Sequence, residues 1–197
     1  AICNERDLTV NKTTFSYNTA DYGAGIYSKI ASDTKVVGST FNKNTSLQGG
    51  AIYNNADLNV SSSKFTSNTA TGKIYKDENG DEIEIGSFGG AIYNLGNMTI
   101  DKTTFSSNKA VNGGAIYTTS NYTDTNSTFT NNTAINGAAI YKDASSLGNT
   151  VLKLSKTKFY ENTVTENGGA INIQAGTLNL TSSTIGGTDR GFNGNNA

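Results

Sequence analysis

Six times along the chain a phenylalanine is followed by asparagine three residues later. These pairs are Phe15/Asn18, Phe41/Asn44, Phe65/Asn68, Phe105/Asn108, Phe129/Asn132 and Phe159/Asn162. After each comes an isoleucine in a Gly/Ala-rich setting: Ile26, Ile52, Ile92, Ile116, Ile140 and Ile171. Self-similarity at a fixed short period is the signature of a stacked-repeat fold. The phenylalanines lie 26, 24, 40, 24 and 30 residues apart, so the base period is about two dozen residues with two insertions.

One period holds three short strand candidates. In the third repeat they are Gly50-Ala51-Ile52-Tyr53-Asn54, Leu58-Asn59-Val60 and Ser63-Lys64-Phe65-Thr66. Apolar and polar residues alternate in them, and Asn, Gly, Ser and Thr separate them. No segment carries apolar spacing of 3.6 residues over a helical length. The pattern predicts an all-β, right-handed parallel β-helix with three short strands per coil and about six to seven coils. At about 4.8 Å per coil the rod is roughly 30 Å long. Ile, Leu, Val and Phe point inward and stack along the axis. The asparagine after each Phe stands at a turn and bonds its counterparts in an amide ladder.

The period organises the whole chain, 1–197, as one β-helix domain, expected to be a piece of a longer secreted protein. Residues 1–7 read as part of an earlier coil. Phe192-Asn193-Gly194-Asn195-Asn196-Ala197 again spells F-x-x-N-x-A. The long insertion, 71–88, contains Asn79-Gly80 between β-forming flanks, which predicts a projecting β-hairpin closed by a type I′ turn. A shorter insertion spans Lys142 to Asn149.

Composition narrows the function. The 197 residues carry a net charge of −1 and no His, Pro or Trp. Neither a nucleic-acid footprint nor a basic membrane-binding face is present, and no run is apolar for long enough to span a bilayer as a helix. Cys3, the single cysteine, reads as a small buried apolar residue.

Five tyrosines, Tyr27, Tyr53, Tyr93, Tyr117 and Tyr141, each follow a core isoleucine. Alternation puts them on the outer face in one stripe, either stabilising the sheet or forming a flat platform for glycan or protein contacts. The one dense acidic cluster begins Asp77-x-Asn79-x-Asp81, like the start of a calcium loop. The sixth position is Glu82 instead of Gly and the twelfth is Phe88 instead of Glu, so a solvated hairpin tip competes with a calcium site. No other cofactor is indicated. Sequons stand at Asn11, Asn44, Asn59, Asn97, Asn121, Asn126, Asn131 and Asn179 and permit glycosylation.

An enzyme is the main alternative, since parallel β-helices of the pectin-lyase-like kind include enzymes that cleave acidic glycans. A hydrolase needs paired carboxylates, but Asp57, Asp101, Asp124, Asp143 and Glu161 are isolated in sequence. A lyase-type arginine base would be Arg6 or Arg190. Ice binding needs threonine rows, and pairs such as Thr103-Thr104 are not held in one stripe.

The repeats F-x-x-N-x-A and G-G-A-I-Y resemble those of the polymorphic outer-membrane protein family of adhesins. The Asn/Thr-rich composition is similar to the adhesin-like surface proteins of methane-producing archaea. The resemblance covers about 8–197 and implies a surface-displayed, non-enzymatic attachment protein. Its partners would be another cell surface, a glycan or a surface protein, with no nucleic acid. Membrane contact would come only through other parts of a parent chain. The family offers no catalytic residues to carry over. A passive spacer is the remaining alternative.

Overall fold

A computed structural model of the chain describes residues 1–76, 78–143 and 150–186. Asp77, Arg190, the 144–149 part of the second insertion and the F-x-x-N-x-A of 192–197 lie outside the described residues. The described residues form a β-solenoid of about seven turns, with no helix among them. Three seven-stranded sheets run its length, and each coil contributes one strand to each. In the third repeat those strands are Ile52–Asn54, Leu58–Ser61 and Lys64–Thr66. Each pairs in parallel with its counterpart forty residues on: Ile52 with Ile92, Leu58 with Met98, Phe65 with Phe105. Ile2–Asn4 pairs the same way with Ile26–Ser28, as expected of an earlier coil.

Strand alternation explains the core. Ile26, Ile52, Ile92, Ile116 and Ile140 are fully buried, as are Phe41, Phe65, Phe105, Phe129 and Phe159. Successive phenylalanine rings stack with centroids 4.7–5.0 Å apart and planes within 12° of parallel, from Phe15 to Phe159. Burial of each ring contributes roughly 1.5–3 kcal/mol. The same alternation corrects one expectation. Cys3 lies between inward Ile2 and Asn4, so its side chain points outward and is exposed.

The asparagine ladder has the predicted form. Nδ2 of Asn18, Asn44, Asn68, Asn108 and Asn132 each donates to Oδ1 of the next asparagine at 2.9–3.0 Å. The backbone N–H of each donates to the same oxygen. The second Nδ2 hydrogen reaches a Phe carbonyl one coil back, as from Asn108 to Phe65 at 3.0 Å. Asn44 through Asn162 are fully buried, so this exchange satisfies groups that water cannot reach.

The two glycines of each G-G pair act differently. Gly49 sits at φ 62, a region other residues enter at a cost. A Cβ on Gly50 would stand 2.1 Å from the Gly90 carbonyl of the next coil. One glycine turns the chain and the other lets coils approach.

The insertion leaves the rod without disturbing it. Lys73–Lys76 and Glu82–Ile85 form an antiparallel pair outside the three sheets. The connection spans 77–81, longer than the two-residue turn expected at Asn79-Gly80, with Gly80 at φ 86. Longer loops with a left-handed glycine are the next commonest hairpin solution.

Candidate functional site

The tyrosine stripe lies on the outer side of the isoleucine-bearing sheet. Tyr27, Tyr53, Tyr93, Tyr117 and Tyr141 are register partners. Their ring centroids are 4.7–5.3 Å apart along the rod. Interplanar angles fall from 52° at Tyr27–Tyr53 to 6° at Tyr117–Tyr141. Where the angle is small, the rings cover each other's faces.

Two corner aromatics not assigned to the stripe from sequence flank it. Tyr22 packs on Tyr27 and Tyr53, at 6.2 and 5.3 Å. Phe88 stacks on Tyr117 at 4.7 Å. Tyr117 is consequently only 5% exposed, whereas the other four are half-buried. Their signal in the sequence is weak, because each occurs once and not once per coil.

Burial pushes the phenol of Tyr53 well above its ordinary range, with Tyr93, Tyr27 and Tyr22 adding smaller contributions. Tyr93 and Tyr141 are raised for the same first reason, with Asp143 second. Tyr117 is raised by burial and then by the hydrogen bond its hydroxyl donates to the Asp143 carboxylate. Tyr53, Tyr93, Tyr117 and Tyr141 therefore stay neutral and able to hydrogen-bond at physiological pH.

A cleft of ≈ 480 Å³ separates the hairpin base from this face, with Tyr22, Gln48, Glu84, Ile85 and Phe88 among its walls. Around the corner, the residue after each ladder asparagine also forms a column. Thr19, Thr45, Thr69, Lys109 and Thr133 pair in sequence along the rod, and Thr133 pairs with Thr163. Threonine rows thus exist, contrary to the sequence expectation: Thr104 of the pair considered there shares a column with Thr14, Thr40, Thr128 and Thr184, interrupted by Lys64 and Lys158, and the column after the asparagines is another. Lys109 interrupts it with a charge, which a flat ice-matching surface would not carry.

Of the calcium-loop residues, Asn79 and Asp81 lie exposed on the hairpin connection, and Asp77 lies outside the described residues. Among the described residues, no group of three His, Cys, Asp or Glu side chains could hold a metal ion.

Of the polar features inside the rod that escaped the sequence reading, two bear on charge and packing most directly. Asn4, Ser28, Asn54, Asn94, Thr118 and Lys142 form a second inward column, all buried. Lys142 closes it, its ammonium donating to the carbonyls of Thr119 and Asp143 at 2.9 and 3.3 Å. Burial lowers its pKa. The other feature is Asp124, which replaces an aliphatic residue in the column Val36, Val60, Ile100, Asp124, Leu154. It accepts hydrogen bonds from Ser127 at 2.5 Å and Thr157 at 2.8 Å. Burial nevertheless pushes its pKa up to about 6. The carboxylate is fully enclosed, so no substrate meets it in the folded rod.

Five segments, 12–29, 38–55, 102–119, 126–142 and 156–174, match the family model described as the Chlamydia polymorphic membrane protein (Chlamydia_PMP) repeat. Each matched segment runs from the corner before a phenylalanine strand, through the asparagine ladder, to the isoleucine strand of the tyrosine face. Those five segments are therefore similar to polymorphic membrane protein repeats. The unit from Phe65 to Ile92, whose spacing the hairpin stretches, is not among the matched segments. No curated protein and no solved structure matches the chain.

Proposed function

We propose that a chain built of polymorphic membrane protein-type repeats on this rod is a segment of a cell-surface adhesin, displayed outside the cell. It attaches without catalysis to another cell or to a surface glycan. The observation that carries this reading is the row of half-buried tyrosines, Tyr27, Tyr53, Tyr93 and Tyr141, on the outer side of one sheet, with Tyr117 buried among them. Because neighbouring rings pack against one another, stacked or tilted, at 4.7–5.3 Å, the contact is hydrogen bonding by phenol edges rather than ring stacking on sugars. Each such contact is weak. A repeated row gains through effective concentration, since a second contact on the same rod is intramolecular. The Asn/Thr-rich composition supports a likeness to the adhesin-like surface proteins of methane-producing archaea.

The test is a glycan array together with a cell-attachment assay. Replacing Tyr27, Tyr53 and Tyr93 by Phe together keeps the packing and removes three hydroxyls, and attachment should fall about tenfold or more. Unchanged attachment would remove the stripe as the contact. Deleting 73–85 tests the hairpin in the same assay. The partial burial of the ring row favours a second reading, in which the segment is a spacer for a distant binding domain. A blank array with no cell attachment would establish the spacer, and cleavage of an acidic polysaccharide would overturn both.

A further inference from the structure

The hairpin stands outside the three long sheets, and burial does not explain its sequence. Lys73–Lys76 reads Lys-Ile-Tyr-Lys and Glu82–Ile85 reads Glu-Ile-Glu-Ile. Their cross-strand pairs are Lys73/Ile85, Ile74/Glu84, Tyr75/Ile83 and Lys76/Glu82. One face of the ribbon therefore carries Lys73, Tyr75, Ile83 and Ile85, with the Lys73 ammonium 5.7 Å from the Tyr75 ring centroid. The other face carries Ile74, Lys76, Glu82 and Glu84.

Three large apolar side chains stay in solvent: Ile74 at 66%, Tyr75 at 42% and Ile83 at 38% exposure. The sheet has only these two strands, so each presents an unpaired outer edge. A two-stranded ribbon is marginal alone, and exposed apolar edges are templates for another strand.

Charge selects the strand. The first carries two lysines and no acid, the second two glutamates and no base. Pairing like edges of two hairpins sets lysines beside lysines or glutamates beside glutamates, which is unfavourable. Pairing unlike edges sets lysines beside glutamates and also brings Ile74 and Tyr75 beside Ile83 and Ile85.

We infer that the hairpin is a self-association element, in which the Lys73–Lys76 edge of one copy adds to the Glu82–Ile85 edge of a second copy. The contact is heterologous, leaving one basic and one acidic edge free for further copies. This deepens the attachment reading by naming the hairpin's partner as another molecule of the same chain. It rests on that reading only for its consequence between cells.

Sedimentation velocity of the whole chain tests it without cells or glycans. Association should rise with protein concentration at about 0.02 M salt and weaken about tenfold or more at about 0.5 M, where exposed charges are screened. K73E/K76E makes both edges acidic and should be monomeric. The fourfold exchange K73E/K76E/E82K/E84K restores opposite edges within and between hairpins and should associate as wild type does. Hydrogen exchange of the strand amides checks that each variant still forms the hairpin.

A wild-type chain that stays monomeric at low salt overturns the inference, including one that instead captures an acidic strand-forming peptide. So does association that survives K73E/K76E with the hairpin intact, or survives deletion of 73–85. None of these outcomes touches the tyrosine row, whose failure is read separately from the Tyr→Phe variant in cell attachment.

Discussion

Asp124 concentrates the electrostatic tension of the core in one residue. Its folded pKa, about 6, exceeds the ordinary 3.8 because burial favours the protonated acid. The stability it contributes is therefore fully present below pH 3.8 and is lost as pH rises through 6. The span is worth on the order of 3 kcal/mol. Asp124→Asn removes the charge, keeps one acceptor oxygen for either Ser127 or Thr157, and presents N–H to the other hydroxyl, which can rotate to accept. Chemical denaturation should show it more stable than wild type at pH 7.5, with the gap closing towards pH 4. A gap that does not vary with pH would show that the carboxylate is already neutral or well solvated. Asn108 makes the opposite case, because its amide accepts from Asn68 and donates to Asn132 and to the Phe65 carbonyl. Asn108→Asp removes two donors in a dry column and introduces a charge. It should cost about 3 kcal/mol or more, measured as a fall in the denaturation midpoint.

At the scale of strands and corners, the period was readable because each repeated type meets its own kind across coils. Phe, Ile and the ladder Asn recur in register, so periodicity alone places them. The second polar column was less visible. In Ile52–Asn54 alternation sends both Ile52 and Asn54 inward, but a polar Asn at the end of a strand gives no hydrophobic signal that it is buried. Tyr122 and Asp124 were missed for a related reason. Tyr122–Thr125 substitutes for Met98–Asp101, and its polar letters hide an inward Tyr and Asp from a hydrophobicity pattern. Glycines show that local space decides more than residue type. Gly50→Ala would drive a methyl into the Gly90 carbonyl and should lower stability by about 2–3 kcal/mol. Gly80→Ala meets nothing within 4 Å and is strained only by φ 86, so a cost of about 1 kcal/mol is expected. Thermal melts of the two variants check the order, and comparable losses would mean the coils are less closely set than described.

Over the whole molecule, the fold sorts the sequons, which the sequence could only enumerate. Asn44 is sealed in the amide ladder. Asn59, Asn97, Asn121 and Asn179 are exposed on or beside the sheet containing Leu58–Ser61, away from the tyrosine face. Peptide mapping of the chain made in a glycosylating host should find sugar at several of these and none at Asn44. Sugar at Asn44 would mean modification before folding or a broken ladder. The hydrogen bonds between coils run along the rod, each N–H reaching a carbonyl one coil away, as Ile52 reaches Ala91 at 2.9 Å. A pull on the two ends would load those bonds in tension, peeling one turn before the next. Each turn of about two dozen residues would pay out roughly 80 Å of slack. Under flow such a tether would yield stepwise and dissipate force, sparing whatever grip it has on its target.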